Sequence, residues 1–280
     1  MNKSALLSIL IIYVSFFSSC TDNSLFTDKT DSQNKRIITG FVHLSGKSDH
    51  SGIYVYLEGF DVGIQTATDG SFKIVLPGNA QTQPISGAYK LYFYMDNYSF
   101  KSADILAVDG ELQYGHGDLN SDGALIKTVV LQKLLDIVVS ISPNTINTNF
   151  SGPVTAFMQL STAGMDTIDV RTVQAKPRQF SGLFLINLAN PDDVRILKTS
   201  SRLVDTEVSG NEKWDMIIPW GSSDVPAGRY EVIPFIKILH PNFPTVLDGI
   251  FGVNSGNFTT DFLNIPQRRS TAIFTVLDAQ

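Results

Sequence analysis

The chain has 280 residues, 43% of them apolar and 10% aromatic, with a formal net charge of −6 and an isoelectric point near 5.1. Its basic residues form only isolated pairs such as Lys35-Arg36 and Arg268-Arg269, which read as solvated strand ends, so nucleic acid and anionic membrane surfaces are excluded as partners on charge. Cys20 is the sole cysteine, which excludes an internal disulfide, and the length predicts two domains whose folding rests on core burial.

Residues 1–19 place Lys3 before an apolar run from Ala5 to Phe17, which ends in Phe17-Ser18-Ser19-Cys20. The run is shorter than the roughly 20 residues a transmembrane helix needs. An Ala-x-Ala-like site of an ordinary secretory signal is absent. The segment resembles a bacterial lipoprotein signal peptide with its lipobox, in which a bulky apolar residue stands three before the cysteine. That resemblance implies cleavage before Cys20, a covalent lipid such as palmitate on it, and a bacterial cell-envelope protein held on a membrane by that lipid. The outer membrane is favoured and the face left open. Each buried methylene contributes about 0.8 kcal/mol to such an anchor. A free thiol behind a plain signal peptide is the bland alternative. Residues 20–35 are polar, lack either hydrophobic period and read as a flexible tether.

Residues 36–133 show period-two alternation over Ile37 to Leu44, Gly52 to Leu57, Ser71 to Leu76, Tyr89 to Met95 and Lys127 to Leu131, with turn residues between, which predicts strands. Gly40 within a strand points to a close backbone approach or a bulge. Asp69-Gly70 predicts a tight type I′ hairpin turn, with positive φ at both residues. Tyr89, Leu91, Phe93 and Met95 fall on one face and read as core. Four segments, Ile38-Thr39-Gly40-Phe41-Val42, Ser51 to Gly59, Thr66 to Gly78 and Gly87-Ala88-Tyr89-Lys90-Leu91, together resemble the carboxypeptidase regulatory-like family. The resemblance covers about a third of the chain. It implies a prealbumin-like β-sandwich of seven strands, non-catalytic, serving as a spacer or interaction module.

Tyr92 and Tyr94 lie on the opposite face of their strand, with Tyr98 shortly after. Their first reading is a cover for the neighbouring domain or tether, and the alternative is a platform that stacks on sugar rings or a partner surface. Asp118-Leu119-Asn120-Ser121-Asp122-Gly123 matches the first half of a calcium loop, with oxygen ligands at Asp118, Asn120 and Asp122 and a glycine at position six. The second half fails, since Val129 stands where an EF-hand has Glu. A β-turn is therefore the expected structure, and a weak calcium site helped by Asp104, Asp109 or Glu111 is the alternative.

Residues 134–280 again read as short strands separated by turn residues: Leu135 to Ile141, Val154 to Leu160, Thr167 to Val173, Gly182 to Leu188, Trp214 to Ile218, Tyr230 to Ile238, Val246 to Val253 and Ala272 to Leu277. This predicts a second sandwich. Val225-Pro226-Ala227-Gly228-Arg229-Tyr230-Glu231-Val232 resembles the late hairpin of immunoglobulin-like domains. Pro219, Pro234, Pro241 and Pro244 should mark edges or breaks. Trp220 is expected to cap the core, with ligand contact at a loop tip as the alternative. The junction near Lys133-Leu134 has no Pro- or Gly-rich linker and reads as rigid.

Neither G-x-S-x-G nor H-E-x-x-H occurs, and His43, His50, His116 and His240 show no paired spacing. The expectation is an all-β protein of two tandem sandwiches, without catalysis or cofactor. It would act as a structural or protein-interaction module of the envelope. The alternatives are a polysaccharide-binding lipoprotein using Tyr92, Tyr94, Tyr98 or Trp220, and an accessory subunit of an envelope enzyme.

Overall fold

The structure, a computed structural model, describes residues 35–77, 86–164, 167–222 and 225–279. Cys20 and the tether up to residue 34 lie outside the described residues. The first sandwich comprises β1 (Ile37–Leu44), β2 (Tyr54–Leu57), β3 (Val62–Gln65), β4 (Ser71–Val75), β5 (Gly87–Tyr94), β6 (Lys101–Val108), β7 (Glu111–Leu112) and β8 (Val129–Leu131). One sheet has the order β4-β1-β8 and the other β3-β2-β5-β6-β7. Alternation turns Ile38, Val42 and Leu44 of β1, Leu91 and Phe93 of β5, and Ala103, Ile105 and Ala107 of β6 into one core. At Gly40 a Cβ would lie 2.9 Å from both Leu125 and Phe72, so the close approach is real.

The Asp69-Gly70 turn differs from expectation. Only Gly70 has positive φ, at +83°, while the Asp69 carboxylate accepts the Ser71 amide at 2.9 Å and holds its own residue in ordinary backbone. The Ala67 carbonyl accepts the Gly70 amide at 2.9 Å, making a turn that ends in a glycine bulge. Nor does this turn join paired strands. β3 pairs with β2 and β4 with β1, so the chain crosses here from one sheet to the other.

The second sandwich comprises β9 (Leu135–Ser142), β10 (Thr145–Asn147), β11 (Pro153–Thr162), β12 (Thr167–Lys176), β13 (Gln179–Phe180), β14 (Gly182–Asn187), β15 (Val194–Lys198), β16 (Leu203–Ser209), β17 (Asn211–Pro219), β18 (Gly228–Pro234), β19 (Ile236–Ile238) and β20 (Ala272–Leu277). Its sheets run β10-β20-β18-β14-β15 and β16-β12-β13-β17-β11-β9, with β19 also on β12. Ile137, Met158, Trp214, Tyr230 and Phe274 fill the space between them. The predicted strand from Tyr230 to Ile238 is two strands. Pro234 ends β18, and β19 then pairs in the opposite sheet, because the proline nitrogen cannot donate to a ladder.

The predicted strand from Val246 to Val253 is instead a short helix, α1 (Thr245–Phe251), which buries Leu247 and Phe251 four residues apart. Five apolar residues in eight, three of them β-branched, suggest a strand, but Leu247 and Phe251 face the same neighbours at helical spacing. The helix belongs to an excursion, residues 239–271, between β19 and β20. None of the described helices is long and apolar enough to cross a membrane.

Candidate functional site

The excursion lies against the first sandwich, and the contact is aromatic. Tyr56 and Tyr94 on the outer face of β2 and β5 join Val173, Phe184, Ile233, Phe235, Leu247, Phe251, Phe262 and Ile265 in one buried cluster. The Tyr94 ring lies 4.9 Å from Phe243 and 5.4 Å from Phe251. On the other side of the excursion, Phe235 of the second sandwich meets Phe262 edge-on at 4.8 Å. Burying a side chain of this size contributes about 2 kcal/mol.

This placement removes Tyr94 and Tyr98 as faces on which a sugar ring could stack. Tyr94 is 1% exposed in the seam and Tyr98 is fully buried in the first core. Tyr92 is half-buried beside Phe100 at 5.4 Å, its hydroxyl donating to Glu58 Oε2 at 3.0 Å. Burial and that carboxylate push its phenol up to about 12. Trp220 is 2% exposed and meets Phe274 edge-on at 4.9 Å inside the second core, so it offers no face to a ligand. Tyr94, Tyr98 and Trp220 are covered because a neighbouring sheet or core end lies within reach of each.

The seam surrounds a polar latch at Asp96-Asn97, the turn after β5. Asp96 is fully buried, and its carboxylate accepts the Tyr94 hydroxyl at 2.8 Å, Gln267 Nε2 at 2.8 Å and the Ile238 amide at 3.2 Å. Its main chain is held as well: the Asp96 amide donates to the Pro266 carbonyl at 2.8 Å, and His240 Nε2–H donates to the Asp96 carbonyl at 2.7 Å. Asn97 Nδ2 donates to the carbonyls of Arg268, at 2.6 Å, and Leu135, at 3.0 Å, while its Oδ1 accepts the Arg268 amide at 2.9 Å. Every polar atom of the Asn97 side chain is thus spent across the junction. Burial pushes the Asp96 carboxyl above its usual range, with His240 and the three donors opposing it. The same burial holds the His240 imidazole below its usual value, with Asp96 opposing.

Arg268 is not a solvated strand end. Its Nη2 donates to the Ser51 carbonyl at 2.5 Å and to Ser51 Oγ at 3.0 Å, and lies 3.3 Å from Asp49. The chain itself passes between the sandwiches in the residues after β8, where the Lys133 amide donates to Ser45 Oγ and Lys133 Nζ pairs with Asp136 at 2.8 Å.

The acidic loop closes on itself. Asn120 Oδ1 accepts the amides of Asp122 and Ala124, both at 2.9 Å, and Asp118 Oδ2 accepts the Asp104 amide at 2.7 Å. Asp104 does fold against the loop, but its carboxylate pairs with Lys90 at 2.6 Å. The Asn120 oxygen a calcium ion would need is committed to the turn. Among the described residues no group of three or more His, Cys, Asp and Glu side chains is arranged to hold a metal.

Asp96, Asn97, His240 and Gln267 escape sequence reasoning because their partners lie far along the chain, 171 residues away for Asn97 and Arg268. One local signal existed. Asp96-Asn97 sits between apolar Met95 and Tyr98 without the Gly or Pro of an exposed turn.

No family model and no curated protein sequence matches the chain. Among solved structures it is similar to BcpA, the major pilin subunit of Bacillus cereus, at 9% identity and a TM-score of 0.26, over 74% of this chain and 64% of that one. It is similar to the Bacillus anthracis TIE protein at 9% identity and a TM-score of 0.23, over 87% and 32% of the two chains. A DUF4876 family protein from Bacteroides thetaiotaomicron matches at 11% identity and a TM-score of 0.20, over 64% and 47%. The chain spans less than two thirds of the length of each. The likeness is one of layered β-strands alone.

Proposed function

We propose that this protein is a lipid-anchored lipoprotein of the bacterial envelope, with the outer membrane favoured. Cys20 carries the lipid, residues 20–35 form the tether, and the two sandwiches make one stiff, non-catalytic arm that presents a surface to an envelope protein. The observation that carries this reading is the closed joint. Domains in one chain move relative to each other unless their interface is large and apolar, and here an aromatic seam encloses a fully satisfied polar latch. A stiff arm on a soft tether suits a spacer or scaffold.

The strand grammar of residues 36–133 supports a carboxypeptidase regulatory-like sandwich, and the Tyr230 hairpin supports an immunoglobulin-like second one; both kinds of domain fit a spacer. Asp96, of the chemistry of an acid, spends both carboxylate oxygens on the latch, and His240, of the chemistry of a base, spends its Nε2 there. Palmitate labelling in cells tests the anchor, and label that persists in Cys20→Ala overturns it. In-cell crosslinking followed by mass spectrometry is expected to capture a defined protein, and to lose it in the same variant. Turnover on a broad hydrolase panel would overturn the non-catalytic part.

A further inference from the structure

A cleft of about 550 Å³ opens between the two sandwiches beside the latch. Clefts of several hundred Å³ at domain junctions are favoured places for small-molecule sites. Its lining departs from the rest of this acidic chain: Lys47, Lys133, Arg268 and Arg269 face it, against Asp49 and Asp136. Asp49 pairs with Arg268 and Asp136 with Lys133, which leaves Lys47 and Arg269 without an ion pair among the described residues, Glu231 and Asp96 acting on Arg269 only at longer range. Arg269 makes one side-chain hydrogen bond, from Nη1 to Gln267 Oε1 at 2.9 Å, and its Nε is buried with no partner. The buried hydroxyl of Tyr98, another lining residue, also has none. Buried polar groups are almost always satisfied, so two orphans among the residues of one cleft mark a place for an outside partner.

We infer that this cleft binds a small hydroxylated carboxylic acid, of the acidic-sugar kind. A guanidinium fork matches a carboxylate geometrically, and Lys47 adds a second attraction. The cleft is far larger than a bare oxyanion requires. Asp49 and Asp136 accept from hydroxyls and repel polyanions, and Ser161 and Ser270 on the lining make no side-chain hydrogen bond among the described residues. One negative charge with several hydroxyls fits that wall better than phosphate or a neutral sugar. The site is independent of the lipid, so its failure and that of the anchor are read separately.

The test is isothermal titration of the purified full-length protein with D-glucuronate, D-glucose and inorganic phosphate in parallel. Glucuronate is expected to bind saturably, and at least about tenfold more tightly than the other two. Lys47→Glu, at an exposed residue away from the latch, is expected to weaken it about fivefold. Arg269→Gln should lose it, with an unchanged melting curve as the control for folding. Rising ionic strength should weaken binding in step. Absence of saturable heat up to about 10 mM ligand, equal affinity for glucose or phosphate, or indifference to Lys47→Glu would each overturn the assignment.

Discussion

Two short turns rich in aspartate and asparagine behave in opposite ways. Asp118 to Gly123 looks like a site and closes almost entirely on its own backbone, its longest side-chain reach being the 14 residues from Asp118 to Asp104. Asp96-Asn97 looks like an ordinary strand end, yet it binds residues up to 171 positions away and is sealed from water. The difference teaches that motif density measures local satisfaction. What organises this molecule is polar chemistry whose partners only folding supplies.

The comparison breaks most sharply at Asp96. Asp96→Ala leaves the Tyr94 hydroxyl, the Ile238 amide and Gln267 Nε2 without their acceptor, and is expected to cost about 4 kcal/mol in urea unfolding. The single transition should split as the two sandwiches uncouple. An unchanged single transition would mean that the seam alone holds the joint. Phe251→Ala tests the seam directly and should cost about 3 kcal/mol by leaving a cavity against Tyr54 and Tyr94.

A smaller effect is the dependence on pH. Burial holds the folded His240 pKa below its ordinary 6.5, so the unfolded chain takes up a proton first as the pH falls. Stability present above 6.5 is therefore lost progressively below it. Asp96 has the opposite sign: its raised pKa gives stability that falls as the pH climbs above the ordinary 3.8. The melting temperature should drop between about pH 7 and about pH 5, and His240→Gln should flatten that drop. Equal slopes in the two proteins would sink this account. The smallest effect belongs to the acidic loop. Asn120→Ala should cost about 1 kcal/mol by freeing two amides of an exposed turn, and exchanging calcium for chelator should leave the melting curve unmoved.

Much of the fold was legible. β1, β9 and β20 declare themselves by strict alternation, Ile38, Val42 and Leu44 against Thr39 and His43 for the first of them. β6 was missed because two of its three buried positions are alanines, Ala103 and Ala107, which carry little hydrophobic signal. β15 and β16 were missed for a related reason: apart from Val208 their side chains stay at least partly exposed, so no buried face stamps the sequence. The helix at residues 245–251 was misread because its buried pair, Leu247 and Phe251, is flanked by Val246 and Ile250, which fill in a strand-like run. Of the candidate site, the tyrosines were recognised as an outward stripe, but the helix that covers them lies more than 150 residues downstream and reads locally as something else.

That same separation sets a clock on biogenesis. The first sandwich can close once β8 has been made, but Asn97 must wait for Arg268, 171 residues later, before its turn is satisfied. At ribosomal rates of about 5 to 20 residues per second, the tyrosine face and its latch stand uncovered for about 10 to 30 s. Throughout that interval the nascent chain displays a sticky half-interface, which has to be shielded until the second sandwich and its excursion arrive to bury it.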